Sequence, residues 1–534
     1  MDLERGVGWL DWAVVGLYFA VVLGIGWYWS RRQKNRDDFL LGGRRMNPVA
    51  SGISIIVTLV SLISYLAVVG ETVKFGPIYV IATILSIPIV FLIVAYLLIP
   101  VFMKLPITSA YEVLEKPLGL GVRLTGSVLF ILIRLVWMAL IIYLSAKTFA
   151  VMMNWGEGAI LPIVLALGTV TLVYTALGGF RATVAAGVVK FFLLIFGAVL
   201  TLVFISVRMG GWRAWLPHRW APHWPPFLAF SLDPSVRLTL IGMMVMTIVW
   251  WICTAGSDQI AIQRYASTRN LRDARKAFLS NNVADVILTI FLGAVGLAVL
   301  AFFQAFPQLA SAGRSVTGDA DFLFPHLIAN ILPPGAAGFL MAGVISTVLV
   351  SFGSGVNSTA AVIVSDFVGR RRSARAEESA PAGREDRRGL LASRVATVAV
   401  GVAVIILSLM MDRVPGNIVE MTNRSNGLFV APLFNLFFMA IFIRGASPLG
   451  TVLGSVYGFA AAFVIAFWQM LTGEPSPGFQ WILPASLVVS ISSSVVFSRL
   501  AGRPKTRRAK VLWSLGLLLP LVAALALLVL RRGG

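Results

Sequence analysis

GFLMAGVISTVLVSFGSGVNSTAAVIVSDF, residues 338–367, runs for thirty residues without a basic side chain and is long enough to cross a bilayer. Within it Thr347, Ser351, Ser354 and Ser358 recur at steps of four, three and four, which puts all four hydroxyls on one helical face. An apolar helix with one polar edge needs something other than lipid against that edge. Two readings are open at this point. The small residues let neighbouring helices pack closely, with each hydroxyl bonded back to its own helix, or the edge lines a polar site.

The 534 residues are 58% hydrophobic and 13% charged, and the apolar ones gather in runs of membrane-spanning length. The pattern predicts an all-α polytopic membrane protein with about fourteen transmembrane helices. They fall at 9–29, 47–72, 76–103, 123–153, 158–177, 183–207, 237–257, 276–304, 335–366, 391–411, 421–444, 447–471, 479–499 and 511–531. Acidic Asp2 and Glu4 precede the first span and no small-residue cleavage site follows it, so a removable signal peptide is not expected.

The net charge of +21 raises the question of nucleic acid, but thirty of the 44 Lys and Arg lie in seven separate loops on one side of the membrane. That is the positive-inside bias. It argues against a nucleic-acid surface and places those loops in the cytoplasm, both termini outside, in the plasma (inner) membrane. The single Cys253 lies inside a span and leaves no internal disulfide framework.

The longest polar insert, 370–394, mixes both charges with Ala, Ser and Pro and reads as a flexible cytoplasmic linker. On the other side, GGWRAWLPHRWAPHWPPF (210–227) sets Trp212, Trp215, Trp220 and Trp224 among prolines, as a lid or an interfacial belt. His218 and His223 within it are a weak metal signal. No zinc, phosphate-loop or nucleophile-elbow motif is present, and all three His fall outside span interiors, which argues against an enzyme.

Two spans five apart look interrupted. Span 2 carries Ser54, Thr58, Ser61 and Ser64 before Gly70, and span 7 loses its apolar character at Thr254, Gly256 and Ser257. Paired interruptions point to an inverted repeat whose unwound helices build a midplane binding site, with Gly- and Ser-tolerant packing as the alternative.

YTALGGFRATVAAGVVKFF (174–192), DQIAIQRYASTRNLRDARKA (258–277), FLLGGRRM (39–46), TSAYEVLE (108–115) and SFGSGVNSTAAVIVSDF (351–367) together resemble the sodium/solute symporter family, in the family's order. The resemblance covers about residues 10–500. Gln263-Arg264-Tyr265 and TSAYEVLE are most similar to the branch that carries monocarboxylates, multivitamins and iodide. The resemblance implies a LeuT-type fold with a 5+5 inverted-repeat core. Residues 1–30 would form an extra N-terminal helix, 47–207 and 237–444 the two five-helix repeats, and 447–534 three extra C-terminal helices. It also implies secondary active transport by alternating access, with sodium as coupling ion and no other cofactor. Ser109 and Glu112 additionally form an S-x-x-E capping box, which is a local argument only.

The family's sodium site uses main-chain carbonyls of span 2 and hydroxyls of span 9, and matching motif to motif puts these at Val57, Val60, Thr347 and Ser351. The chain departs from the pattern with Val350 where a further hydroxyl is common, Gly187 where an aspartate is, and Lys190 where a glutamine is. Lys190 lies one turn after Gly187, so its ammonium would stand in for sodium, with proton loss and gain replacing ion release and binding. The contrary expectation is that Lys190 snorkels to the cytoplasmic surface.

Matching to sugar-carrying relatives places Asp285 and Arg424 on the substrate site, and ionisable residues inside spans are functional candidates by default. The alternative is a structural bridge between the two. Ser61, Ser64 and Trp251 are candidates for the same cavity. The expected function is symport of a small polar organic solute, a carboxylate held by Arg424 or a zwitterion whose amino group meets Asp285. A sodium-independent, proton-coupled or uncoupled carrier is the alternative. A membrane sensor is a remote one, since no histidine-kinase or receiver motif is found.

Overall fold

The computed structural model describes residues 7–500 apart from 106, 154, 232, 234–235, 311–315, 319, 370–381 and 412–417. The described residues hold helices, turns and bends and no strand. Among the described residues ten helices are long and apolar enough to cross a membrane, and the shorter Pro48–Leu59 and Gly427–Phe442 are apolar too. The expected span 511–531 lies outside the described residues. One of the ten, Glu157–Arg208, has 52 residues. At about 1.5 Å rise per residue a straight helix of that length would far exceed the roughly 30 Å hydrocarbon core. It is divided at Gly179, whose φ of 55° and ψ of −149° leave the helical region. A Cβ there would sit 2.7 Å from the Phe39 carbonyl oxygen, so only glycine fits this break. The two halves are the expected spans 158–177 and 183–207.

The chain divides into two compact units. The first comprises Met1–Ile84, Arg134–Pro226 and Gln263–Pro415. Its centre is helix Ala336–Ile363, in which nearly every residue is buried. Ile160–Arg208, Trp9–Ser30, Pro48–Leu59 and Ala382–Ser408 pack around it. Gly, Ala and Ser allow that close approach. The N-terminus of the central helix has no cap of its own. Asp11, buried on Trp9–Ser30, supplies one, its Oδ1 accepting from the Gly335 N–H at 2.8 Å and the Gly338 N–H at 2.7 Å.

Span 2 is two helices, Pro48–Leu59 and Leu62–Phe75. Asn47 caps the first by accepting from the Val49 and Ala50 N–H groups. The C-terminal end of the second is covered by the Trp-rich segment, where the Trp224 Nε1–H donates to the Val73 carbonyl at 2.9 Å and His223 Nε2 lies 2.9 Å from the same oxygen. Trp224 is buried and Trp212 exposed, so the segment packs against the protein at one end and is open at the other.

The second unit comprises Leu85–Ile133, Phe227–Ile262 and Gly416–Gly534. In it Pro448–Ala466 and Ile482–Leu500 pack closely through Gly454, Gly458, Ser490 and Ser494. Asn435 stitches them to Ile418–Phe442, its Nδ2 donating to the Ser455 hydroxyl at 2.9 Å and the Ser494 hydroxyl at 2.8 Å.

Two expectations shift. Span 7 stays helical through Thr254, Gly256 and Ser257 and breaks at Asp258, with φ −82° and ψ 123°. The Ser257 hydroxyl bonds back to the Cys253 carbonyl at 2.8 Å and supports the turn rather than ending it. The Asp258 carboxylate instead accepts from the Ile260 N–H at 2.8 Å and starts a new helix, Gln259–Ala266. Of the insert 370–394, residues from 382 onward belong to helix Ala382–Ser408, as the helix-forming run of Arg, Glu, Leu and Ala permits.

Candidate functional site

The helix of span 2 stops at Val60, whose φ of −75° and ψ of 101° are extended. The Ile56 carbonyl still accepts from the Val60 N–H at 2.8 Å, but the carbonyls that follow lose their partners four residues on. Inside a membrane each must be met by another donor. The Lys190 ammonium, on Ile160–Arg208, donates to the Val57 carbonyl, to the Val60 carbonyl at 2.6 Å and to the Thr347 carbonyl at 3.5 Å. The Ser351 hydroxyl donates to the Thr58 carbonyl at 2.8 Å. An ammonium has three N–H donors and finds three carbonyl oxygens here.

Lys190 is 0% exposed, so its side chain does not snorkel to a surface. Among the described residues no carboxylate lies within ion-pair distance of it. The negative end of helix Pro48–Leu59 faces the ammonium instead. Gly187, one turn earlier, also faces the broken helix: a Cβ there would stand 3.2 Å from Val57 Cγ2 and 3.3 Å from Ser54 Oγ. Of the four sequence-predicted positions, Val57, Val60 and Thr347 therefore meet at Lys190, while Ser351 reaches the same break through the Thr58 carbonyl. Thr347 differs in manner. It turns its main-chain carbonyl to the ammonium, while its hydroxyl bonds back to the Val344 carbonyl at 2.6 Å.

The remaining hydroxyls of the stripe reach other segments, so self-bonding describes Thr347 alone. Ser354 accepts from the Thr58 hydroxyl at 3.1 Å, and the Ser358 hydroxyl donates to Gln263 Oε1 at 2.7 Å. Beside Ser354 lies a second buried cation, Arg264, also 0% exposed. Its Nη2 donates to Ser354 Oγ at 3.0 Å, Thr58 Oγ1 at 3.2 Å and Ser54 Oγ at 3.3 Å, and its guanidinium carbon lies 5.4 Å from the Phe180 ring centre. In the sequence Arg264 opens a basic run and reads as part of a cytoplasmic loop. Its one mark in the sequence is the Gln263-Arg264-Tyr265 segment, which points to a branch of the family and not to burial.

Of the substrate candidates, Ser61 and Asp285 belong to the first unit and are buried, and the Thr289 hydroxyl donates to Asp285 Oδ1 at 3.3 Å. Trp251 is buried in the second unit, edge-on to Trp250 at 4.9 Å between ring centres. Arg424 lies on helix Ile418–Phe442 of that unit. The side chains of Arg424 and Ser64 lie outside the described residues.

The sodium:solute symporter family profile matches residues 39–458. The sodium/sialic acid symporter NanT of Aliivibrio fischeri is 28% identical over 466 residues, covering 85% of this chain and 87% of that one. The human sodium-coupled monocarboxylate transporter 1 is 28% identical over 497 residues, covering 89% and 76%. The solved structure of a Na+-coupled sialic acid symporter, substrate-bound and outward-open, superposes with a TM-score of 0.76 at 24% identity, covering 92% of this chain and 98% of that one. With the fold shared and the profile running through both the broken helix and the hydroxyl stripe, this chain belongs to the sodium:solute symporter family, a multi-pass membrane transporter and not an enzyme.

Proposed function

We propose that this protein is a secondary active carrier of a small polar organic solute, a carboxylate or zwitterion, in which the Lys190 ammonium takes the place of the coupling sodium ion. The observation that carries the reading is the seat of Lys190 on the Val57, Val60 and Thr347 carbonyls. Sodium and ammonium both seek oxygen ligands, and a cation there ties the broken helix to Ala336–Ile363. A tethered cation cannot leave, but it can lose its charge. Proton release from Lys190 would loosen the tie as ion release does, and proton uptake would restore it. Coupling would then run on the proton gradient. The monocarboxylate and sialic acid carriers among the relatives both move organic anions by name, which supports a carboxylate-bearing solute. Arg424 is proposed for its carboxylate and Asp285 for any amino group, with Ser61, Ser64 and Trp251 as further substrate candidates.

The test is uptake into liposomes holding the purified protein, over a panel of labelled carboxylates and zwitterions. Transport is expected to persist when choline replaces sodium, to follow an imposed pH gradient, and to fall at least about tenfold in Lys190→Met, as expected for loss of a charged hydrogen bond worth roughly 1.5–3 kcal/mol. An absolute sodium requirement with Lys190→Met still active returns the protein to ordinary sodium symport.

A further inference from the structure

The first helix, Trp9–Ser30, ends in Trp27, Tyr28, Trp29 and Ser30 and is followed by Arg31 and Arg32. Both arginines are exposed, as are Trp27 and Tyr28. The Arg31 guanidinium carbon lies 4.2 Å from the Trp27 ring centre, and that of Arg32 lies 4.1 Å from the Tyr28 ring centre. Each pair is four residues apart, so the two stacks stand side by side at the helix end.

Stacking engages the flat face of a guanidinium and leaves the in-plane N–H donors free. Neither Arg31 nor Arg32 has a side-chain hydrogen bond or ion pair among the described residues. Arg181 provides the contrast within the same corner. It also stacks, 5.2 Å from the Trp29 ring centre, but its donors are taken by the Gly42 carbonyl at 2.8 and 3.2 Å and by Asp38 at 3.7 Å. The neighbouring carboxylates are likewise committed, Asp38 to Arg181 and Asp37 to Arg44 at 3.6 Å. Among the described residues the corner therefore presents two pre-oriented guanidinium edges with no acid to meet them. Below them the same helix exposes Leu17, Val21 and Leu23, an apolar wall of acyl-chain polarity.

The geometry points to a binding site for one anionic phospholipid, its phosphodiester held by the Arg31 and Arg32 edges and its acyl chains along the outer face of the first helix. Two flat forks match phosphate oxygens in a way a single point charge does not. Trp and Tyr rings favour the headgroup depth at which such a phosphate lies. The charge pattern sets the choice of headgroup: a zwitterionic one would bring an ammonium against two unpaired arginines.

The test uses the full-length protein in detergent and counts retained lipid by native mass spectrometry, with phosphatidylglycerol and phosphatidylcholine of identical acyl chains. Phosphatidylglycerol is expected to be retained in preference, and free glycerol phosphate not to compete at equal concentration, since it lacks the chains. The double variant Arg31→Gln with Arg32→Gln is expected to lose that preference by at least about tenfold, given roughly 1 kcal/mol per surface cation. Arg31→Lys with Arg32→Lys keeps both charges and loses the forks, so it too is expected to bind less. A control, Arg272→Gln with Lys276→Gln, removes two exposed cations elsewhere in the same unit and is expected to retain the lipid as the native protein does. Equal losses in the control and the Arg31/Arg32 variants, or full retention by the lysine pair, would reduce the effect to diffuse charge attraction and overturn the site. Apart from these aromatic stacks neither arginine holds another side chain among the described residues, so melting temperatures close to the native value confirm that the variants compared are folded.

Discussion

At Thr58 two polar contacts meet on one residue: its carbonyl accepts from the Ser351 hydroxyl, and its hydroxyl lies in the Arg264 network. Ser351→Ala removes the donor and leaves a buried carbonyl unmet, a loss of about 1–3 kcal/mol. A lowered melting temperature of the purified variant checks this, and an unchanged one would show that another donor already serves Thr58. Arg264→Lys separates fork from charge. A lysine cannot reach Ser54, Thr58 and Ser354 together from one plane, so the variant is expected to be less stable than the native protein despite its unchanged charge. Equal thermal stability of Arg264→Lys and the native protein would mean that charge alone matters there.

At the scale of the element, the first helix is more than an addition to the core. Its Asp11 carboxylate caps the helix that carries Thr347 and Ser351, where partial positive charge and open N–H groups gather. Asp11→Ala is expected to destabilise by roughly 1–2 kcal/mol, while Asp11→Asn, which keeps the acceptor, loses less. The order of the two melting temperatures is the readout; a reversed order would count against capping. Gly179 sets the other element-level constraint. Its positive φ turns one overlong helix into two spans, and the Phe39 carbonyl fills the space a side chain would need. Gly179→Ala is therefore expected to lower the yield of folded protein, whereas alanine at Gly24, where nothing lies within 4 Å of an added Cβ, is expected to leave it unchanged.

For the molecule as a whole, the charge bias of the loops predicts an orientation that can be tested in cells. A reporter active only in the cytoplasm should work within the 370–394 insert and fail after Gly534; the reverse would overturn both the orientation and the even number of spans. Arg424→Gln is expected to weaken carboxylate binding by about 1.5–3 kcal/mol at unchanged protein yield. If Arg424→Gln and Asp285→Asn each abolish folding and the double variant restores it, the two residues are a structural bridge and not a substrate site.

The sequence by itself determined that the chain crosses the membrane many times, because runs of apolar residues report their own length and need no neighbour to be read. It also determined the family, and it marked Lys190 and Gly187 as departures from the family pattern at adjacent turns of one helix. Tertiary structure decided what those residues touch. TLVSL, residues 58–62, contains neither Gly nor Pro, and the helix breaks there because donors 130 residues and more away along the chain, Lys190 and Ser351, take its carbonyls. Arg264 is the converse case. Its place in a basic run suggests solvent, yet it is sealed among hydroxyls that other segments bring to it. Periodicity is a local property of the chain, whereas the partner of a freed carbonyl or a buried guanidinium is set only when distant segments pack.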